Sequence, residues 1–500
     1  MRRSENLTNL QDRKSLTFGT CLTFVRFQVE YGNSGLNVHP LIDRVRFFGL
    51  IPMERFFKFQ ENGTTLTREV LAGCVTFVTM AYILCIQPAL MSGAMIGTDT
   101  GMPAEALLVT TCIASAFACF LMGFYANYPL ALAPGMGNNF FVFFELFPAC
   151  ALALGMNVGE AAVWQLAIGT VFIAGCLFLI ISLLKVRNHL LVLLSRSSKM
   201  GICAGIGLFI AYLGLKNAGI LVIANNQPTM GSFLTPDSAI FWSGLLVSAV
   251  LMIRRVPGAI LFGMAVSAFV AMGFGRLEIA GIFGMPADPM EVAGKMDLAG
   301  VWANLKHLVP FIFILLFMDV FDTFGTVIGV SHQAGFMKED GTIPRMDRIF
   351  LADALGTMFG AFCGHSTVTT YVESASGVEA GGRTGLTAVT VGVLFLVSIF
   401  FAPLILSIAG CPPVTAPALV LVGVLMAGSL AHIDWQDKTE AIPAFLILAG
   451  IPFFCSIASG ILCGVIAYPF LKLLTGRVKE TTPGMFLLAA IMLAYALFLR

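Results

Sequence analysis

The chain has 500 residues, of which 58% are hydrophobic and only 11% charged, with a formal net charge of +1. Ordinary globular domains carry about 25% charged residues, so too few charges remain to cover a water-facing surface, and the chain reads as an all-α polytopic membrane protein embedded in a lipid bilayer. The charge balance leaves no basic footprint for nucleic acid. The 12 cysteines lie mostly in apolar runs, among them Cys74, Cys85, Cys112, Cys119, Cys176, Cys203, Cys455 and Cys463. None forms a Cys-x-x-Cys pair, so they read as small buried hydrophobes rather than zinc ligands or a disulfide framework.

Residues 1–52 are polar and read as an N-terminal extension or a misassigned start, with no apolar run long enough for a signal peptide or a span. Residues 53–67, opening Met53-Glu54-Arg55-Phe56-Phe57-Lys58-Phe59, read as a cytoplasmic lead-in. Apolar segments then follow near 70–95, 105–126, 128–147, 162–184, 200–222, 238–254 and 257–275. A polar loop at 276–307 precedes segments near 308–331, 349–363, 366–379, 384–407, 415–430, 441–456 and 457–475, and a last apolar stretch runs 485–499 within the C-terminal 476–500. Several are short for the about 20 residues that cross a bilayer as a helix.

The basic residues order these segments. Arg55, Lys58, Arg68, Lys185, Arg187, Arg196, Lys199, Arg254, Arg255, Lys338, Arg345, Arg348, Arg383, Lys472, Arg477 and Lys479 all fall on one side if fourteen segments cross and the N-terminus is cytoplasmic. The location expected is the inner or plasma membrane.

A faint repeat divides the chain into a first unit at 68–275 and a second at 308–475. Gly258-Ala259-Ile260-Leu261-Phe262-Gly263 is echoed by Gly460-Ile461-Leu462-Cys463-Gly464, and Gly205-Ile206-Gly207-Leu208-Phe209-Ile210 by Val422-Gly423-Val424-Leu425-Met426-Ala427. Seven spans per unit insert the second copy upside down, and inverted repeats are common in secondary transporters.

Carboxylates inside a span are costly and mark functional sites. Asp319 and Asp322, in Phe317-Met318-Asp319-Val320-Phe321-Asp322-Thr323-Phe324-Gly325-Thr326, are three apart and share a helix face. Two acids that close cannot easily both ionise, which suits a proton carrier. A metal-binding Asp-x-x-Asp would need further acidic ligands nearby. Glu373 lies in Gly364-His365-Ser366-Thr367-Val368-Thr369-Thr370-Tyr371-Val372-Glu373-Ser374, a β-branched run that reads as extended backbone leading into a half-helix. Such backbone is tolerated at membrane depth only inside protein or along a water-filled cavity.

The counterpart in the first unit is Ala131-Leu132-Ala133-Pro134-Gly135-Met136-Gly137-Asn138-Asn139-Phe140-Phe141, where Pro134, Gly135 and Gly137 break the helix. Paired interruptions at matching places in two halves point to a transporter's binding site. Gln87-Pro88 is a milder break that reads either as a kink or as a ligand position. His365 and His332 read as structural or loop residues.

Three of these stretches, Pro134-Gly135-Met136-Gly137-x-Asn139, Asp319-x-Phe321-Asp322-Thr323-x-Gly325-Thr326 and Ser366-Thr367-Val368-Thr369-Thr370-Tyr371-x-Glu373-Ser374, resemble the signatures of the AzgA-type purine permeases of the nucleobase–cation symporter superfamily. Gly381-Gly382-Arg383-Thr384-Gly385-Leu386-Thr387-Ala388 does too. Phe140, Gln87-Pro88 and His365 depart from the usual pattern. The resemblance implies fourteen spans in two inverted sevens, a core and a gate domain, and short antiparallel strands in the third and tenth segments. It implies uptake of hypoxanthine, guanine and adenine by proton symport, with an elevator-like movement of the core, no cofactor beyond the proton gradient, and no enzyme activity.

Carried onto this sequence, Asp319 and Glu373 hold the purine and Asn139 assists. Gly137, Asn138, Phe140, Thr370, Thr323 and Gln87 surround it, and Asp322, with Asp319, is tied to proton coupling. The chemistry agrees: a carboxylate accepts the neighbouring N–H groups of a purine edge, and Phe140, Phe141, Phe321, Phe324 or Tyr371 offer stacking faces. The partners expected are a purine, a proton and the bilayer, and a homodimer is compatible with the sequence. The rival readings are an anion transporter or exchanger of the sulfate/bicarbonate type, an Asp-x-x-Asp membrane enzyme and a channel. The first would want a positive site, and no lysine or arginine lies at the breaks.

Overall fold

Apolar runs, some of them beginning on a Ser, Thr or Asp cap, become helices throughout the computed structural model, which describes residues 50–184, 194–224, 227–337 and 343–498. The N-terminal extension before residue 50 and the loop positions Lys185, Arg187 and Lys338 fall outside these. The first segment is α1 (Leu66–Met80) and α2 (Ile83–Met91), followed by α3 (Ala104–Leu121). The third segment is a strand, β1 (Leu132–Pro134), running into α4 (Met136–Phe141). After α5 (Ala161–Leu183) and α6 (Arg196–Asn217) come a surface hairpin of β2 (Leu221–Ala224) and β3 (Gln227–Met230), then α7 (Pro236–Ile253) and α8 (Ala259–Gly273).

The second half brings α9 (Leu305–Ala334), α10 (Met346–Phe362), β4 (Val368–Thr370), α11 (Ser374–Glu379) and α12 (Gly385–Ser398). It ends with α13 (Pro412–Ala427), α14 (Lys438–Phe454), α15 (Ile457–Leu474) and α16 (Pro483–Phe498). Side-chain oxygens cap several of these: Thr65 accepts from the Arg68 N–H, Ser195 from that of Ser198, and Ser456 from that of Ser459.

Ten helices among the described residues are long and apolar enough to cross a membrane. The helix of the first segment is interrupted at Ala81–Tyr82 rather than at Gln87–Pro88, and Pro88 is carried inside α2. The segments expected near 257–275, 349–363, 366–379 and 441–456 give helices too short to count among the ten, the tenth because its helix begins only at Ser374, after a short strand and a turn.

Within residues 54–500 the helices pack as two sets. In one, α10 lies on α5 and α3, α12 on α3 and α1, α9 on α5, and α11 on α1 and α9. In the other, α6 lies on α13 and α14, α7 on α8 and α13, and α14 on α15. The second set is drawn together by glycines. A Cβ on Gly207 of α6 would stand 2.9 Å from the Gly423 carbonyl oxygen of α13, and one on Gly423 would stand 2.5 Å from that of Gly207. Larger residues would push these helices apart, and both glycines belong to the echoed sequence pair.

Candidate functional site

The two interrupted segments meet. β1 and β4 pair antiparallel, with Leu132 opposite Thr370, Ala133 opposite Thr369 and Pro134 opposite Val368. Proline ends its strand without a ladder donor, and the crossing is stitched by other groups. The Tyr371 hydroxyl donates to the Pro134 carbonyl at 2.6 Å, the Tyr371 N–H to the Ala131 carbonyl at 2.9 Å, and the Ala131 N–H to the Ser374 hydroxyl at 3.0 Å. Asn138 donates to the Thr367 hydroxyl, and Ser366 donates to the Asn139 amide oxygen. The Ser/Thr run is thus extended because its backbone pairs with β1 while its hydroxyls bond one end of each amide of α4.

A cavity of about 350 Å³ opens beside this crossing, between the two helix sets. One wall is polar and comes from the crossing and α9: Asn138, Asp322, Thr370 and Glu373, with Phe321, Phe324 and Tyr371 offering rings. The facing wall, from α6, α13 and α15, is chiefly apolar, including Ile202, Ile206, Val422, Leu425, Ile461 and Val465. The volume lies in the range of small-molecule sites, and so does the pattern of a few polar groups among apolar ones.

Gly135 lets the polar wall close up. A Cβ there would stand 2.7 Å from Thr369 Cγ2 and 3.7 Å from the Asp322 carboxylate. Glu373 accepts from the buried Tyr82 hydroxyl at 2.7 Å. Asn138 Oδ1 and Thr370 Oγ1 are buried at this wall with hydrogen-bonding capacity unused among the described residues.

Of the residues singled out from sequence, Asp322, Glu373, Gly137, Asn138 and Thr370 line this cavity. Asp319, Thr323, Asn139, Phe140 and Gln87 are fully buried behind its wall. Asp319 turns away from the cavity to accept from Thr357 at 2.8 Å, and Thr357 also bonds the Val368 carbonyl of β4. Thr323 donates to Asp353 and lies 3.0 Å from the Thr369 hydroxyl. Phe140 stacks on Phe144, its ring centroid 6.1 Å away, so neither it nor Phe141 faces the cavity. Gln87 Nε2 lies 3.2 Å from His365, which also sits 2.8 Å from Thr110, so both are locked into a buried polar knot. His332 is exposed near the end of α9.

Several residues escaped the sequence reading. Asp353 carried part of the signal of Asp319, an acid in an apolar run, but with no second acid three residues on. Tyr82 carried none, because its partner is 291 residues away. Lys199 lines the cavity from α6, its ammonium 4.5 Å above the Phe321 ring. A cation therefore reaches the site although none lies at the breaks. Glu69, fully buried in the first turn of α1, accepts from the Arg383 N–H at 2.8 Å, the Thr384 N–H at 3.2 Å and the Thr387 hydroxyl at 2.6 Å. The Gly381–Ala388 motif thus fastens α12 to α1.

The sequence profile of the Permease family matches residues 67–474, in the nucleobase–ascorbate transporter group. The chain belongs to this permease family. The permease is 43% identical over 441 residues to a putative permease of Methanocaldococcus jannaschii, covering 88% of this chain and 97% of the relative. It is 40% identical to the adenine permease AdeP of Escherichia coli, over 89% and 96% of the two chains. It is 38% identical to the guanine/hypoxanthine permease PbuO of Bacillus subtilis, over 85% and 96%. Proteins so named are transporters rather than enzymes.

Among solved structures, the permease resembles the transmembrane domain of the cyanobacterial bicarbonate transporter BicA. The TM-score is 0.57 at 15% identity, covering 80% of this chain and 97% of that one. SLC26A9 matches with a TM-score of 0.56 at 14% identity, covering 87% and 68%. At such low identity the likeness is one of fold.

Proposed function

We propose that this permease takes up purine nucleobases, namely hypoxanthine, guanine and adenine, by proton symport across the inner or plasma membrane. The observation that carries the reading is the cavity between the helix sets, with Asp322, Glu373, Asn138 and Thr370 on one wall and aliphatic side chains opposite. A flat neutral heterocycle edged with N–H donors and ring-nitrogen acceptors suits such a slot. Hydrogen bonds to a charged group are worth about 1.5–3 kcal/mol net each, enough to select a substrate. The relatives named for adenine and for guanine/hypoxanthine supply the same substrate class.

In this reading Glu373 and Asp322 contact the base, Asn138 and Thr370 add hydrogen bonds, and Asn139, Thr323 and Gln87 hold the wall in shape. Asp322 also couples to the proton, assisted by Asp319 and Asp353, which lie behind β4 and are joined to it through Thr357, Thr323 and Thr369.

The set that carries the crossing is the moving core, and the set of α6, α7, α8, α13, α14 and α15 is the gate. A chiefly apolar gate wall lets a hydrogen-bonded core slide past without exchanging many partners. Fourteen crossings in two inverted sevens, 68–275 and 308–475, with the N-terminus cytoplasmic, agree with the positions of the basic residues. They also agree with the corresponding close contacts of Gly244 with Gly263 between α7 and α8 and of Gly450 with Gly460 between α14 and α15. An anion exchanger is disfavoured by two carboxylates on the cavity wall.

The test is uptake of labelled hypoxanthine, guanine and adenine by cells lacking their own permeases, with and without a protonophore. Uptake of at least one purine that collapses with the proton gradient is expected. Uptake indifferent to the protonophore would remove the coupling, and uptake of bicarbonate or sulfate in place of purines would remove the substrate class.

A further inference from the structure

Lys199, Cys203 and Ile206 all line the cavity from α6, and their spacing of four and three places them on one helix face. At the Ile206 end the slot is narrow, since a Cβ on Gly137 would stand 3.5 Å from Ile206 Cγ2. One turn on, Cys203 lines the same cavity as Asp322. A further turn of about 5.4 Å brings Lys199, whose ammonium lies over the ring of Phe321, the neighbour of Asp322 in sequence. Lys199 is the one basic side chain on the cavity wall among the described residues, and it stands on the gate wall, opposite the carboxylates. A planar ligand seated against Asp322 and Glu373 therefore presents its far edge to an ammonium on a flexible four-carbon stem.

The chemistry of that edge differs among purines. Hypoxanthine and guanine carry two adjacent acceptors there, O6 and N7, which a lysine can engage together. Adenine carries N7 beside an amino group whose N–H bonds point outward, so a donor-only ammonium meets a donor. The other edge of a 6-oxopurine offers N1–H, and in guanine the 2-amino group as well, to a carboxylate. Carboxylates on one side and an ammonium on the other thus complement a 6-oxopurine on both edges, whereas adenine, whose N1 is an acceptor, offers a carboxylate only its 6-amino group and the ammonium only N7.

We infer that Lys199 is a specificity-determining residue that reads the O6/N7 edge and makes the permease prefer hypoxanthine and guanine over adenine. This deepens, and rests on, the purine reading above. The gate wall reads the O6/N7 edge, whereas the core wall takes the N–H donors of the rest of the base.

The experiment measures half-saturating concentrations for hypoxanthine, guanine and adenine uptake in wild type, Lys199→Met and Lys199→Arg, with each protein's level in the membrane determined in parallel. Wild type is expected to favour the two oxopurines. Lys199→Met should weaken them about tenfold and leave adenine within about twofold, and Lys199→Arg should keep the wild-type order, since arginine reads the same edge. On the wild-type protein 7-deazahypoxanthine should compete about tenfold more weakly than hypoxanthine, and in Lys199→Met that gap should vanish. Equal shifts for all three purines, no shift at all, or a wild type that prefers adenine would overturn the assignment. Absence of purine uptake by wild type would instead overturn the purine reading and this inference with it. If Lys199→Met is absent from the membrane, Lys199→Gln and the 7-deaza comparison decide between the same outcomes.

Discussion

Two of the places where the permease buries charge are built differently. Around Lys472 of α15, whose side chain is 1% exposed, the ammonium meets Glu480 at 2.7 Å, Glu440 at 3.2 Å and Asp437 at 3.7 Å. Arg477 bonds Asp437 and Glu480, both at 2.7 Å. Three carboxylates and two cations close on one another and tie the start of α14 to the end of α15 and the approach to α16. Around the β1–β4 crossing, hydroxyls partner the carboxylates: Thr357 on Asp319, Thr323 on Asp353 and Tyr82 on Glu373. One oxygen of Asp319 and one of Asp353 stays buried without a partner among the described residues. A cluster neutralised by its own counter-ions is a fastener. Acids held by hydroxyls keep the capacity to take up a proton or a ligand.

The largest break in this contrast should come from the crossing. Glu373→Gln and Asp322→Asn are expected to reduce purine uptake by at least about a hundredfold at normal membrane levels, as loss of two or more charged hydrogen bonds implies. Glu373→Gln should act mainly on purine binding and Asp322→Asn mainly on coupling, which binding to purified protein alongside uptake would separate. Next, Lys472→Met should lower stability by about 3–5 kcal/mol, because it leaves three carboxylates without their central cation. Detergent thermal unfolding reads that loss, and the surviving protein should keep its purine preference. If Lys472→Met changed preference without changing stability, the two clusters would not differ as described.

Asp353→Asn sharpens the contrast. It keeps the Thr323 hydrogen bond and removes the charge, so about tenfold slower proton-coupled uptake is expected, with purine binding to purified protein little altered. The smallest effect lies at Asp437, which sits before the first residue of α14. Hydrogen bonds from Thr439, then the Arg477 guanidinium and the Lys472 ammonium, hold its carboxyl down at about 2. A depressed carboxylate contributes stability above its unfolded value near 4 and loses it as pH falls through its folded value. Acid unfolding should therefore steepen between about pH 4 and pH 2, and Asp437→Asn should flatten that region by less than about 1 kcal/mol, the scale of a partly exposed ion pair.

Much of the crossing was legible in the sequence. Pro134, Gly135 and Gly137 cannot continue a helix comfortably, and the β-branched run before Glu373 favours extended backbone, so the interruption of the third and tenth segments follows from local chemistry, whereas their pairing as antiparallel strands was what the resemblance implied. The facing of each acid was not legible. Residues three apart on a helix point about 60° from one another, enough for Asp322 to meet the cavity while Asp319 turns to Thr357. Tyr82 and Lys199 were invisible because their roles come from tertiary neighbours. The echoed glycine segments proved informative in a way that similarity alone did not announce, since Gly207 and Gly423 touch each other.

The central claim is that the carboxylates on the cavity wall bind a purine and a proton together. The most direct measurement is hypoxanthine-driven proton movement in liposomes that contain only the purified permease and an internal pH dye. Adding hypoxanthine outside wild-type vesicles should acidify the lumen, and Glu373→Gln vesicles should show no such change. Labelled hypoxanthine entering wild-type vesicles with no change in internal pH, or equal acidification in the Glu373→Gln protein, would contradict the claim.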